Sequence, residues 1–164
     1  MTAPHSKKLL VDSRSVTVSV GPAEAFRAIT SIGGDNGWYA WNSLWKLRGL
    51  LDVLVGGVGM RGSAARQTPL RVGDEVDFWR VEQLEPETRL RLKAEMILPG
   101  EAWLEFEIRC AAPGTTIRQT ATFAPKGMLG RAYWYAVFPL HELVFRGMLR
   151  GIARAAQKPY RSQP

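Results

Sequence analysis

The sequence predicts an α+β fold in which an antiparallel sheet is covered on one face by a long C-terminal helix. Three observations carry this expectation. Between Val72 and Pro125, apolar and polar residues alternate in runs separated by turn pairs, which marks half-buried strands. From Arg131 to Ala156 the apolar spacing becomes that of a helix. Ahead of both lie one alternating segment and two segments of helical spacing, so strands and helices are segregated along the chain.

The first strand is expected over Ser13–Val20, where Val16, Val18 and Val20 alternate against Arg14, Thr17 and Ser19. Gly21 and Pro22 end it. A short helix follows over 22–29, with Pro22 at a first helical position and Glu24 in the first turn, where the helix dipole favours a negative charge. After a loop at 31–37, Trp38, Trp41, Leu44, Trp45, Leu51 and Val55 predict a second helix, stopped by Gly56 and Gly57.

In the central region the turns set the register. Pairing Glu85 with Thr88 across a tight turn sets Val81 opposite Leu92, Trp79 opposite Ala94 and Asp77 opposite Met96, all on one face. Pairing the ends of Ala112–Thr115 sets Leu104 against Phe123, Phe106 against Ala121 and Ile108 against Gln119. A two-residue turn at Pro99 and Gly100 would match apolar with charged positions, so a bulge or longer loop is expected there. The opposite face carries Arg89, Arg91 and Lys93 beside Glu105 and Glu107, with Thr120 and Thr122 beyond, a charge-complementary outer surface. Glu95 is expected outward and structural.

The covering helix turns Tyr133, Val137, Leu140, His141, Val144, Met148 and Ala155 to the sheet, and Glu142, Arg146 and Arg150 to water. Pro139 is expected to kink it. Gly147 and Gly151 each weaken a helix by about 1 kcal/mol relative to Ala, which suggests close approach of a strand or space left for a ligand.

Composition narrows the functional classes. The 164 residues suit a single domain spanning 1–164, with an ordered core of about 10–157. There is one cysteine, Cys110, and there are two histidines, His5 and His141, so neither a disulfide framework nor a zinc site is expected. Cys110, without a neighbouring histidine, is expected to be unreactive. No apolar run approaches the roughly 20 residues that span a bilayer and no signal core follows Met1, so a cytoplasmic protein without an integral membrane segment is expected. The net charge of +7 is concentrated in residues 1–73 and 127–164 around a mildly acidic middle. No aromatic-basic stacking motif accompanies it, which argues against nucleic acid.

The order of elements, with Val18-Ser19-Val20-Gly21-Pro22-Ala23-Glu24-Ala25-Phe26 at its start, resembles the START-like, polyketide-cyclase-like (SRPBCC, helix-grip) superfamily. Within it the chain resembles an uncharacterised domain-of-unknown-function family often fused behind NAD(P)-binding epimerase-like domains. The stretches that carry this are Gly37-Trp38-Tyr39, 44–49, 56–61, Val72-Gly73-Asp74, 77–81, Ala94-Glu95-Met96, Pro99-Gly100, Tyr133-Trp134-Tyr135 and Pro139-Leu140-His141. Residues 62–67 depart from the Arg-rich stretch expected after Arg61. The resemblance implies a curved sheet wrapped around the last helix and a hydrophobic or amphipathic small molecule held between them; some superfamily members are cyclases, dehydratases or hydrolases. It implies no cofactor within this chain, and any nicotinamide chemistry would come from a separate NAD(P)-binding oxidoreductase partner.

Candidate site residues follow from the face assignments. Asp77 and Gln119 are polar groups turned toward the apolar side, where they could orient a ligand among Trp79, Leu92, Phe106, Val137, His141 and Met148. The competing reading of Asp77 is a strand-end residue satisfied by backbone or by Arg48. His141 is the one histidine in the body of the chain, and its ordinary pKa near 6.5 suits acid-base work. Its competing reading is a hydrogen-bonded core residue beside Pro139. Two functions result: a small-molecule-binding domain, requiring a cavity of about 300 Å³, or a cyclase, dehydratase or isomerase using His141 with Asp77 or Gln119. Gly57–Gly62 matches G-x-G-x-x-G, but a helix precedes it and no helical pattern follows, so a loop or lid is expected rather than a dinucleotide site. Trp38, Trp41 and Trp45, with Lys46 and Arg48, could line an entrance or form a membrane-surface or partner patch. Arg48 and Asp52 are spaced as a helical ion pair.

Overall fold

A computed structural model of the protein describes residues 8–33, 37 and 69–158. The expected second helix with Trp38, Trp41 and Trp45, the Arg48–Asp52 pair and the Gly57–Gly62 motif lie outside the described residues. The elements are β1 (Leu10–Val18), α1 (Pro22–Thr30), β2 (Glu75–Val76), β3 (Trp79–Glu85), β4 (Arg89–Ala94), β5 (Gly100–Ala111), β6 (Gly114–Pro125) and α2 (Gly127–Ala156). All strands join one antiparallel sheet of order β1-β6-β5-β4-β3-β2.

α1 starts at Pro22 after Gly21 and ends where side chains take up the free carbonyls. Thr30 Oγ1 donates to the Phe26 carbonyl at 3.0 Å, and Ser31 Oγ to that of Arg27 at 2.7 Å. Ala25, Ala28 and Ile29 face the core. The start of β6 is tied to the chain ahead of α1 by the buried Thr115 hydroxyl, which donates to the Val20 carbonyl at 2.7 Å.

Register agrees with the sequence expectation at some pairs and differs at others, for identifiable reasons. Val81 pairs with Leu92 and Trp79 with Ala94 as the turn argument requires, yet the turn itself closes on Glu85 and Arg89. An irregularity between Val81 and Gln83 absorbs the extra residue. Asp77 does not pair with Met96. It is a turn residue between β2 and β3, with φ 55°, a left-handed conformation that Asp tolerates better than most residues. On β5 and β6 the expected pairing is out by two residues: Leu104 faces Ala121, Phe106 faces Gln119 and Ile108 faces Ile117. The loop is Ala112-Pro113, and Gly114 belongs to the strand. A Cβ there would lie 2.1 Å from the Val18 carbonyl oxygen, so glycine lets β1 approach. Between β4 and β5, residues 95–99 form the longer connection expected.

The outer face is the charge ladder anticipated from the alternation. Arg89 reaches Glu107 at 3.2 Å, Arg91 reaches Glu105 at 3.1 Å and Glu82 at 2.8 Å, and Lys93 reaches Glu101 at 3.2 Å. Trp103 lies under this ladder, with Arg91 and Lys93 5.5 and 5.7 Å from its ring centre. Glu95 joins it through Arg80, which also binds Glu75.

The inner face carries Trp79, Val81, Leu90, Leu92, Leu104, Phe106, Ile108, Ile117 and Ala121, packed against α1 and α2. α2 buries more than its expected stripe. Trp134, Phe145, Leu149 and Ile152 are buried alongside Val144 and Met148, while Leu140 is half-exposed and Arg146 and Arg150 face water. Close approach occurs at Gly130, where a Cβ would stand 2.4 Å from the Pro99 carbonyl oxygen. Pro139 lies inside the helix. None of the helices among the described residues is long and apolar enough to cross a membrane.

Candidate functional site

Between the sheet and the first half of α2 lies a cavity of about 190 Å³. Its floor is built by Trp79 of β3, Ala102 and Trp103 of β5, and Ala121, Thr122 and Phe123 of β6. Met96 and Leu98 of the β4–β5 loop close one end. α2 supplies the roof through Tyr133, Trp134, Val137, Leu140, His141, Val144 and Phe145, with half-exposed Leu140 at the rim. The lining residues are aliphatic or aromatic apart from Thr122 and His141, with the three tryptophans and Tyr133 each carrying one polar atom.

Aromatic rings give the cavity its shape. Phe123 stacks on Trp134 with ring centres 5.8 Å apart and planes 8° apart, and Tyr133 approaches the same phenyl ring at 5.9 Å. The His141 ring lies 5.3 Å from Trp134 and 3.8 Å, edge-on, from Phe145. Trp134 and Phe145 fall outside the stripe expected of this helix. Their inward position fills space between helix and sheet, which is why the cavity is smaller than the about 300 Å³ set by the sequence argument.

Three of the residues singled out in the sequence line the cavity: Trp79, Val137 and His141. Leu92, Phe106 and Met148 lie in the packed core, each at 0% exposure, and Gln119 is buried at 2%. Its Oε1 has no hydrogen-bond partner among the described residues. Asp77 is buried in the β2–β3 turn against Gly33, where a glycine Cβ would stand 3.2 Å from its Oδ2. The sheet therefore carries Asp77 at the β2 end, while His141 packs toward β1 at the other.

Sequence reasoning missed the group next to His141. Asp12 and Arg14 share a face of β1 with Val16 and Val18, since all four are even-numbered positions of one strand, and that face turns toward α2. Arg14 therefore does not stand opposite the valines. Arg14 Nη2 donates to Asp12 Oδ2 at 2.8 Å, and that oxygen lies 3.7 Å from His141 Nδ1. Burial pushes the His141 pKa down to about 4 from its ordinary 6.5; Asp12 pulls it up and Arg14 pushes it further down. The imidazole is neutral at neutral pH.

The model of a family described as a protein of unknown function, DUF2867, matches residues 6–148. The chain belongs to this family. No protein of curated function matches it in sequence. Its likeness to solved structures is one of fold. The protein CV1439 from Chromobacterium violaceum superposes with a TM-score of 0.56 at 14% identity, over 91% of this chain and 98% of that one. The Zhui aromatase/cyclase from Streptomyces sp. R1128 gives 0.51 at 12% identity, over 91% and 94%. The di-domain aromatase/cyclase StfQ of the steffimycin biosynthetic pathway gives 0.56 at 9% identity over 91% of this chain, which spans about half (51%) of StfQ. This DUF2867 chain thus has the helix-grip fold of the polyketide cyclases: a six-stranded antiparallel sheet and a long C-terminal helix.

Proposed function

We propose that this protein holds a small hydrophobic or aromatic molecule in the cavity between the sheet and α2. The observation that carries the reading is the lining itself, a pocket of stacked aromatic and aliphatic side chains with one imidazole in its wall. An engineered apolar cavity of about 150 Å³ admits benzene, so about 190 Å³ suits a ligand of one or two rings. A longer polyketide chain would need the roof to move. Native mass spectrometry of protein purified from its own host, combined with calorimetric titration of naphthalene, tests this. A retained small ligand or saturable naphthalene binding is expected; neither retained mass nor binding would remove the reading.

A second reading is an enzyme of cyclase, dehydratase or isomerase type acting on an aromatic or polyketide-like substrate, with His141 moving the proton. It is supported by the position of His141 in the wall, backed by a carboxylate at 3.7 Å. Asp12 takes the place beside the imidazole that Asp77 or Gln119 would have to fill. Turnover of a ligand recovered from the native protein should then be lost in His141→Phe while the ligand still binds. Unchanged turnover in that variant would exclude the enzyme reading as framed.

A further inference from the structure

The ion pair behind His141 determines what the imidazole can offer a ligand. Asp12 and Arg14 are sealed between β1 and α2, with side chains 13% and 17% exposed, and Glu142 of α2 lies 3.8 Å from Arg14 Nη1. Across β6, Asp12 is level with Ala121, which lines the cavity, and Arg14 with Gln119. The carboxylate oxygen nearest the ring can only accept a proton in a hydrogen bond. Nδ1 makes no hydrogen bond at 3.7 Å, and a small rotation of the ring would let a proton on Nδ1 be donated to Asp12. Nδ1 is buried and Nε2 is not, so Nε2 is the nitrogen left accessible.

A neutral imidazole protonated on Nδ1 has a bare lone pair on Nε2. We propose that His141 Nε2, fixed as a hydrogen-bond acceptor by Asp12 and Arg14, selects uncharged one- or two-ring aromatic ligands that carry a hydroxyl or N–H donor. The proposal rests on the cavity being a ligand site. A carboxylate on the ligand is disfavoured twice: its lone pairs meet that of Nε2, and the apolar wall cannot replace its hydration. An unsubstituted hydrocarbon fills the same space without satisfying the nitrogen. Asp12 and Arg14 act through His141 and are positioning residues.

Three probes of one shape separate these statements: naphthalene, 2-naphthol and 2-naphthoate, titrated calorimetrically at pH 7.5. 2-Naphthol is expected to bind ~5-fold more tightly than naphthalene, the gain of one net hydrogen bond, and 2-naphthoate more weakly than either. In His141→Phe the naphthol advantage should vanish while naphthalene binding persists. The ring tautomer of His141, read from ¹⁵N shifts of the wild-type protein, needs no variant to fold and should be the Nδ1–H form. Asp12→Leu should shift that tautomer ratio and shrink the naphthol advantage. If naphthalene binds and naphthol gains nothing, or if the proton resides on Nε2, the acceptor is refuted while the cavity stands. If none of the three probes binds, the cavity reading falls and takes the proposal with it.

Discussion

Ala121→Leu offers the most direct test of an open cavity. Ala121 sits on β6 between Asp12 of β1 and Leu104 of β5, is 6% exposed, and forms part of the cavity floor. Leucine adds three carbons. A cavity of about 150 Å³ accepts the six carbons of benzene, so three fit within about 190 Å³ without displacing the walls. At about 0.8 kcal/mol for each buried methylene, less roughly 0.5–1 kcal/mol for the leucine rotamers, the substitution should stabilise the protein by about 1.5 kcal/mol. For a chain of this length that is an increase in Tm of roughly 3–6 °C. The same carbons occupy the ligand's place, so naphthalene affinity should fall by at least ~10-fold, a loss of about 1.4 kcal/mol. Scanning calorimetry with and without naphthalene reads both effects. A drop in Tm of several degrees with naphthalene binding intact would mean that the region is already packed and that the leucine strains it, and the reasoning from volume would be wrong.

Leu92→Ala should behave in the opposite way. It removes a fully buried side chain from the core beyond the lining, costing about 2–5 kcal/mol in urea unfolding with the naphthalene Kd of the folded fraction unchanged; a comparable loss of binding would extend the site to Leu92. Acid should destabilise the protein through His141, packed among Asp12, Arg14 and Glu142. Its pKa is held near 4 when folded against an ordinary 6.5, so the unfolded chain takes up a proton that the folded one refuses, and stability is lost as pH falls from 6.5 toward 4. The loss is at most about 3 kcal/mol, and the urea midpoint of wild type should fall further between pH 7 and pH 4.5 than that of His141→Phe; parallel decline would contradict a buried neutral ring. Gly114→Ala places a methyl 2.1 Å from the Val18 carbonyl oxygen and should cost about 1–3 kcal/mol, whereas Cys110→Ala, exposed on the same hairpin, should stay within about 0.5 kcal/mol. Equal stability of the two would favour a register in which Gly114 belongs to the turn.

The first strand and helix, the wet face with its Arg–Glu ladder and the covering helix were legible because each depends on local periodicity. Which residues pair across β5 and β6 was not, because sliding one strand by two positions keeps every side chain on its face. Each register sets one of Leu104, Phe106 and Ile108 against Gln119 and the other two against apolar neighbours, and the deciding contact is that of Gly114 with Val18, a residue distant in the sequence. Asp77 was misplaced for a related reason. The alternation runs through it without interruption, while its positive φ belongs to a two-residue hairpin that a β2 strand of only two residues does not announce.

The cluster around His141 had a signal that composition obscured. Charged residues near a strand's start read as solvent-facing, yet Asp12 and Arg14 have the parity of Val16 and Val18, so a strict period of two already turns them inward. A carboxylate and a guanidinium on the helix-facing side of an edge strand need each other, and their ion pair at 2.8 Å meets that need through the same carboxylate oxygen that lies 3.7 Å from the imidazole. The scarcity of histidine and cysteine argues for binding over catalysis by inventory alone. A neutral imidazole in an apolar wall fits that argument, because a ring lone pair there can accept a hydrogen bond from a donor, whereas a pKa near 4 makes the ring a weak base for proton transfer at neutral pH.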